Sequence, residues 1–218
     1  MNENKILPTI LAGGKSSRFG SDKSMAILGD KKILDYTLDK IEKNFSEILI
    51  VTNNNKLLIN NKKISIVKDC LPGQLGPLVG VLTAFQWIKK NKKKYNWVAT
   101  FPCDSPFFDD IIFDHLKEKS KDEINKIFFF KTGEKRHNIF GLWSTKLEHN
   151  LENDLKKNHR KVETWANKIG IKEVKIDEEK NESFLNINTI EDYEKAKKKI
   201  KQKKHDFIQE SIENNKEK

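Results

Sequence analysis

A glycine-rich segment with closely spaced cations follows the first apolar run of the chain. In "ILAGGKSSRFGSDKS", residues 10–24, Gly13 and Gly14 permit positive φ angles and let a ligand approach the backbone closely. The N–H groups of such a loop form an anion-binding nest, to which Arg18 adds two donors and Lys23 a mobile charge. The spacing fits neither the P-loop nor the dinucleotide-binding G-x-G-x-x-G motif. We interpret the segment as a phosphate-binding loop, the alternative being an ordinary strand-to-helix turn with surface cations.

A single aspartate between two prolines is the candidate metal ligand. Asp104 stands in "FPCDSP", residues 101–106, directly after an apolar stretch. Mg²⁺ takes one or two protein carboxylates together with substrate phosphates and water, so one carboxylate on a stiff mount is suited to it. Helix capping is the alternative role for Asp104. The sequence places no basic group beside Cys103 to activate its thiol, and we therefore predict a small buried residue there rather than a nucleophile.

Three further polar residues lie in the second half of the chain. His137, in "EKRHN", either touches substrate or closes a turn. Asn186 and Asn188 alternate with apolar residues in "FLNINT", which predicts that both face one side of a strand. There the two carboxamides complete a metal or phosphate site, or they cap the end of the sheet.

The apolar segments predict the frame that positions these residues. Strands are predicted at 6–12, 47–52, 63–69 and 96–101, and helices at 33–44, 78–90 and 111–119. This alternation indicates an α/β fold with a mostly parallel sheet and helices on both faces, in which ligands bind at the carboxyl ends of the strands. The glycine loop follows the first predicted strand, Asn53 the second, Asp69 the third and Asp104 the fourth. We expect all four to share one edge.

The later segments are less regular. Residues 126–143 predict a short antiparallel element, two strands joined by a turn around Thr132 and Gly133. Helices are predicted at 146–158 and 162–168, and an extended segment at 172–176. Thr189, with Asp192 three residues on, predicts a capping box for a last helix. We expect one domain over residues 1–198 and a Lys-rich tail, helical or disordered, over 199–218. Pro8 is expected near the outer end of the first strand.

Charge and cysteine content narrow the class of protein. The formal net charge is +10, but residues 195–218 supply +5 of it, with nine lysines against four acidic residues. Basic and aromatic residues are not interleaved as in a single-strand binder, so we expect no nucleic-acid partner. No apolar stretch is long enough to span a membrane, and "MNENK" does not have the pattern of a signal peptide. Two cysteines without metal spacing fit a reduced, cytoplasmic protein.

The motifs together resemble a known family. "LAGGKSSRFGSDK" is similar to the L-A-G-G-x-S-x-R-M-G-x-D-K signature of nucleotidyltransferases with a glycosyltransferase-A-like, Rossmann-type fold. "GPLVGVL", "PCDSP", "RHNIFGLW" and "FLNINTIEDYEKA" follow in family order, and with them the chain resembles the molybdenum cofactor guanylyltransferases over residues 6–198. It departs from the pattern at Phe19 (usually Met), at Asn138 (usually Pro) and at Ile190 (usually Pro).

The resemblance implies that GTP and molybdopterin cofactor react to give the guanine dinucleotide form and pyrophosphate. It also implies roles by position: Leu11, Ala12 and Gly13 line guanine and ribose, Gly14 and Lys23 meet the phosphates, Asn53 and Asp69 contact the nucleotide, and Asp104 holds Mg²⁺. Lys23, Arg18 and Asp104 are the implied catalytic residues, with His137, Asn186 and Asn188 near the acceptor or metal.

A phosphate that attacks another phosphate is already ionised, so this reaction needs positioning and charge neutralisation rather than a general base. The implied partners are the two small-molecule substrates and, transiently, cofactor-delivering or molybdoenzyme proteins. Two alternatives stay open. One is nucleotidyl transfer with another base or acceptor, namely CTP with molybdopterin, or a sugar phosphate or phospholactate acceptor. The other is a nucleotide-binding partner without catalysis.

Overall fold

The fold was determined from a computed structural model that describes residues 6–13, 25–73, 75–122, 126–177 and 183–202. The strands are β1 Ile6–Leu11, β2 Ile27–Leu28, β3 Lys31–Lys32, β4 Ile48–Val51, β5 Ile64–Val67, β6 Trp97–Pro102, β7 Ile127–Thr132, β8 Lys135–Ser144 and β9 Ile171–Ile176. The α-helices are α1 Ile33–Glu42, α2 Pro77–Lys90, α3 Ile111–Lys119, α4 Glu148–Lys156, α5 Val162–Ile169 and α6 at 190–202.

The main sheet has seven strands in the order β5-β4-β1-β6-β8-β7-β9. Strands β5, β4, β1 and β6 are parallel, whereas β8 is antiparallel to both of its neighbours and β9 is parallel to β7. The predicted mostly parallel α/β sheet with an antiparallel element in the second half is therefore confirmed. A second hairpin, β2 with β3, was not predicted, because its strands of two residues are too short to show a hydrophobic period.

Apolar side chains fill both faces of the sheet. Along β1, Ile6 and Ile10 belong to the core beneath α1 and α3, while Leu7 belongs to the core beneath α2, α4 and α5. Helix α2 lies so close to β1 that a Cβ atom on Gly80 would stand 2.7 Å from Leu11 Cδ2. This contact accounts for the second glycine of "GPLVGVL", and it fixes the helix against the strand that leads into the glycine loop.

Pro8 lies inside β1 rather than at its outer end. It is the third of six strand residues and stands opposite Ala99 of β6, in the middle of the sheet. The pairing of β1 with β4 begins only at Thr9. The sheet accommodates the missing N–H because the proline precedes the first pair on that side.

The last helix has the predicted capping box. The Asp192 carboxylate accepts a hydrogen bond from the Thr189 N–H at 3.0 Å, and Thr189 Oγ1 accepts one from the Asp192 N–H at 3.1 Å. Helix α6 packs Ala196 and Ile200 against the β2–β3 hairpin region, so packed structure extends past residue 198. No helix within the described ranges is long and apolar enough to cross a membrane.

Candidate functional site

The carboxyl ends of the four parallel strands meet at one edge of the sheet. Backbone hydrogen bonds continue beyond the strands there, from the Ala12 N–H to the Val51 carbonyl at 2.9 Å and from the Thr52 N–H to the Val67 carbonyl at 2.9 Å. The Cys103 N–H donates to the Leu11 carbonyl at 3.3 Å, which joins the ends of β6 and β1. The predicted convergence of these strand ends is therefore confirmed.

Gly13, Asn53 and Asp69 form what we call the β4–β5 cluster. Asn53 Nδ2 donates to Asp69 Oδ2 at 2.7 Å, and the Asp69 N–H donates to Asn53 Oδ1 at 3.2 Å. A Cβ atom on Gly13 would stand 3.8 Å from Asp69 Oδ2. Burial raises the pKa of Asp69, and the hydrogen bond from Asn53 opposes that rise. The carboxylate and the carboxamide thus hold each other in place beside Gly13.

The conformation predicted for Gly13 is wrong in one respect. Its φ angle lies outside the left-handed region, which several other glycines of the chain do occupy. A Cβ atom at position 13 would also make only ordinary van der Waals contact with Asp69, so close approach of a ligand to this backbone stays a prediction.

Leu11 and Ala12 present backbone rather than side chain to the edge. Leu11 packs against Gly80 of α2, and Ala12 is buried. The Ala12 carbonyl accepts a hydrogen bond from Thr52 Oγ1 at 3.0 Å. Gly14, Arg18 and Lys23 lie outside the described residues, so their roles stay predictions.

Asp104, Ser105, Asn186 and Ile187 form a second group, the Asp104 cluster. The Asp104 carbonyl accepts a hydrogen bond from the Ile187 N–H at 2.8 Å. The Ser105 hydroxyl donates to the side-chain carbonyl of Asn186, 81 residues further along the chain. The end of β6 is therefore joined to the segment that carries both predicted asparagines.

The two asparagines do not lie on a strand, contrary to the prediction. Residues 185–188 have no regular secondary structure, although Asn186 and Asn188 are exposed and Ile187 between them is fully buried. Asn186 and Asn188 share the exposed side, as predicted, because Ile187 between them turns into the core. Among the described residues the segment is held to its neighbour by one backbone bond, from Ile187 to Asp104, rather than by a ladder, so no strand forms.

His137 lies inside the protein, on β8. The side chain is buried, its ring stacks on Phe184 with centroids 3.9 Å apart, and Nε2 shares a hydrogen bond with Thr132 Oγ1 at 2.8 Å. Burial, helped by the positive charge of Lys135, lowers the pKa of His137 to about 4. The ring is therefore neutral at physiological pH.

The residues at the edge fit a magnesium ion better than a transition metal. Within the described ranges no three His, Cys, Asp or Glu side chains stand together as a metal-binding group. The Asp104 cluster instead offers one half-buried carboxylate and exposed carboxamide oxygens. Few protein ligands, all of them oxygen, are typical of Mg²⁺ that is also held by substrate phosphates.

A basic cavity that was not predicted from the sequence lies between α4 and α5. Its volume is about 370 Å³, and its lining residues are Asn158, His159, Arg160, Lys161, Thr164, Trp165 and Lys168. A Cβ atom on Gly76, at the start of α2, would stand 4.0 Å from the Arg160 carbonyl oxygen. The signal in the sequence was the run "NHRK", which is inconspicuous in so lysine-rich a chain.

A buried carboxylate organises this cavity. Asp154 accepts hydrogen bonds from Trp165 Nε1 at 3.0 Å and from Lys168 Nζ at 2.9 Å, with His159 Nδ1 at 3.3 Å. The hydrogen bond from Lys168 is the main cause of a lowered pKa for Asp154. The carboxylate joins the end of α4 to α5 and to the basic loop between them.

Comparison with known proteins agrees with this geometry. A family model, the MobA-like NTP transferase domain, matches residues 9–169. The molybdenum cofactor guanylyltransferase of Haemophilus influenzae (strain 86-028NP) is 32% identical over 192 residues, which cover 88% of this chain and 97% of the relative. The protein of that name from Campylobacter jejuni (strain RM1221) is 30% identical over 203 residues, 92% of this chain and 100% of the relative.

A solved structure has the same fold. Molybdopterin-guanine dinucleotide biosynthesis protein A from Archaeoglobus fulgidus superposes with a TM-score of 0.72 at 21% identity, over 89% of this chain and 98% of that one. The family match covers most of the sheet and its strand-end edge. The resemblance drawn from the motifs is confirmed: the chain is a nucleotidyltransferase and belongs to the MobA-like NTP transferase family.

Proposed function

We propose that this protein transfers GMP from GTP to the molybdopterin cofactor, forming the guanine dinucleotide form and pyrophosphate in a Mg²⁺-dependent reaction. The observation on which the proposal depends most is that the β4–β5 cluster and the Asp104 cluster share one edge of the sheet, joined through the Cys103–Leu11 hydrogen bond. Relatives at about 30% identity that bear the guanylyltransferase name support the choice of reaction.

The β4–β5 cluster binds the nucleoside in this proposal. The backbone of Leu11, Ala12 and Gly13 lines guanine and ribose, and Asn53 and Asp69 provide oriented polar groups beside them. Their mutual hydrogen bonds at 2.7 and 3.2 Å fix both side chains before the ligand arrives. Such preorganisation lowers the entropy lost on binding.

In this proposal the glycine loop and Asp104 together bind the phosphates. Gly14, Arg18 and Lys23 neutralise the triphosphate, and Asp104 holds the metal with Asn186 and Asn188 close by. Bound Mg²⁺ supplies charge neutralisation for the α-phosphate and the departing pyrophosphate. The residues of the chain orient two anions toward each other, and a general base is unnecessary because the attacking phosphate is already ionised.

The basic cavity is suited to the anionic acceptor. Arg160 and Lys161 supply positive charge, and the indole of Trp165 supplies a flat apolar wall. The Arg160 backbone adjoins the start of α2, the helix that follows β5. We assign the cavity to the acceptor for these reasons.

Parallel reactions with GTP and CTP test the proposal. The full chain is incubated with Mg²⁺, molybdopterin-loaded acceptor protein and either nucleotide, and the released cofactor is analysed by mass spectrometry. We expect the guanine dinucleotide form with GTP and no product with the Asp104→Asn variant.

The other outcomes identify the alternatives. A cytosine product would overturn the assignment of the base. Pyrophosphate release that requires a sugar phosphate or phospholactate in place of molybdopterin would overturn the assignment of the acceptor. Tight GTP binding without turnover in any of these mixtures would indicate a non-catalytic partner.

A further inference from the structure

The segment that carries Asn186 and Asn188 is anchored in the core at its start. Phe184 is buried, and its ring meets Phe140 edge-on with centroids 5.1 Å apart. Its closest ring contact is the stack on His137, at 3.9 Å with an interplanar angle of 14°. Two residues downstream the backbone reaches the surface at the exposed Asn186.

The ring of His137 is itself held at its edge by a hydrogen bond. Its Nε2 hydrogen-bonds to Thr132, on β7, and the two buried side chains are thereby fixed relative to each other. A neutral imidazole stacks on phenylalanine without burying a charge, whereas an imidazolium at this position would be desolvated without a carboxylate partner among its described contacts.

Phe184 and the residues that contact Ser105 and Asp104 thus belong to one short segment. From Phe184 the chain continues to Asn186, which accepts from Ser105, and to Ile187, whose N–H donates to the Asp104 carbonyl. Any shift of Phe184 moves these two contacts, because only one residue separates Phe184 from Asn186.

We propose that His137 is a positioning residue: its ring seats Phe184, and Phe184 in turn holds the asparagine segment in register with Asp104. The inference rests on the proposed function for its catalytic consequence, though not for its structural part. It also resolves the two roles left open for His137, since a buried ring stacked on Phe184 acts through the protein rather than on the substrate.

Amide hydrogen exchange measured by NMR tests the structural part directly. The Ile187 amide reports the seating of the segment, and the Thr52 amide, which donates to Val67 at the same edge, is an internal reference. We expect His137→Ala to accelerate exchange at Ile187 at least about tenfold relative to Thr52, and Phe184→Leu to act in the same direction. His137→Phe preserves an aromatic ring and should restore most of the protection.

His115→Ala is the matched control. His115 lies on α3 and contacts Phe130 of the same aromatic group, with centroids 6.3 Å apart. It should leave exchange at Ile187 unchanged. Unchanged exchange at Ile187 in folded His137→Ala would overturn the proposal, and if that variant does not fold, Phe184→Leu and His137→Phe decide by the same measurement.

Kinetics test the catalytic part. His137→Ala should lower kcat about tenfold or more while KM for GTP stays within about threefold, because the β4–β5 cluster has no contact with the His137 ring among its described bonds. His137→Phe should recover most of kcat. A His137→Phe variant with normal Ile187 protection but the low kcat of the alanine variant would overturn the positioning role in favour of substrate contact. Absence of transfer by the wild-type protein would refute the proposed function, and the exchange data would still decide whether His137 seats the segment.

Discussion

The β4–β5 cluster and the Asp104 cluster are neighbours at one edge but are built in different ways. Asn53 and Asp69 follow adjacent parallel strands, so the sheet alone brings them together. The partners of Asp104 and Ser105 come from the segment after Phe184, 81 residues away in the case of Asn186. The first cluster therefore depends on local sheet register, and the second depends on the packing of the whole second half of the chain.

The difference has a functional meaning under the proposed reaction. A cluster fixed by sheet register suits a nucleotide that binds in one orientation. A cluster assembled from the end of β6 and the segment after Phe184 would bring ligands from two distant parts of the chain to the reacting phosphates. Variants that affect one cluster and spare the other test this division.

The largest effect is expected at Asp104. Asp104→Ala should reduce turnover at least about a thousandfold while GTP still binds, because the carboxylate supports charge neutralisation and not nucleoside recognition. Pyrophosphate release and GTP binding are measured on the same preparation over a Mg²⁺ titration. Near-wild-type turnover at saturating Mg²⁺ would contradict the metal assignment.

Lys23 tests whether the glycine loop predicted from the sequence also acts in the chemical step. Lys23→Ala should cost at least about a hundredfold in turnover, the scale for one lost charge-stabilising group. Lys23→Arg is the charge-preserving comparison and should retain more of the rate. If the alanine variant raises only KM for GTP, the lysine is a binding residue and its catalytic role is wrong.

Because His137 is buried, the stability of the fold should decrease at acidic pH. The pKa of His137 is lowered to about 4 in the folded protein, from about 6.5 when unfolded. Its neutral form thus stabilises the fold fully above about pH 6.5, and that contribution is lost as pH falls toward 4.

Between about pH 7 and pH 5 we expect this group to remove about 2 kcal/mol from the free energy of unfolding. Urea denaturation at both pH values, on wild type and on His137→Phe, isolates the histidine as the difference between the two proteins. Equal pH dependence in both would show that the ring does not titrate as described.

Asp69 should have a smaller effect, confined to nucleotide affinity. Asp69→Ala should raise KM for GTP about tenfold with little change in kcat, the loss expected for one hydrogen-bonding group. Because Asn53 and Asp69 bond to each other, the double variant with Asn53→Ala should lose less than the sum of the two single variants. Additive losses would mean that the two side chains act independently.

The smallest effect is expected at the cap of α6. Thr189→Ala removes one half of the capping box and should lower the free energy of unfolding by about 1 kcal/mol, or about 2–4 °C in Tm. Thr189→Ser keeps the hydroxyl and should restore most of the stability. A large loss of kcat with unchanged Tm would assign Thr189 to the chemistry instead.

The sequence predicted most of the elements because their signals are local. Helix α3 was predicted over Ile111–Lys119 and is found there, and the capping box of Thr189 and Asp192 is formed as expected. The β2–β3 hairpin was not predicted because strands of two residues are too short to show a hydrophobic period. Residues 185–188 were predicted as a strand but are irregular, because strands and extended loops share the same alternation of buried and exposed residues.

For the site, the sequence by itself determined that the residues after β1, β4, β5 and β6 meet at one edge, since parallel strands end together wherever they lie in the chain. Only the tertiary structure decided how those residues bond. The Asn53–Asp69 pair, the stack of His137 on Phe184 and the cavity around Arg160 each join segments through side chains whose separation no spacing rule encodes. The physical reason is that local propensity and hydrophobic period show where strands begin and end, whereas side-chain contacts between distant segments depend on how the whole core packs.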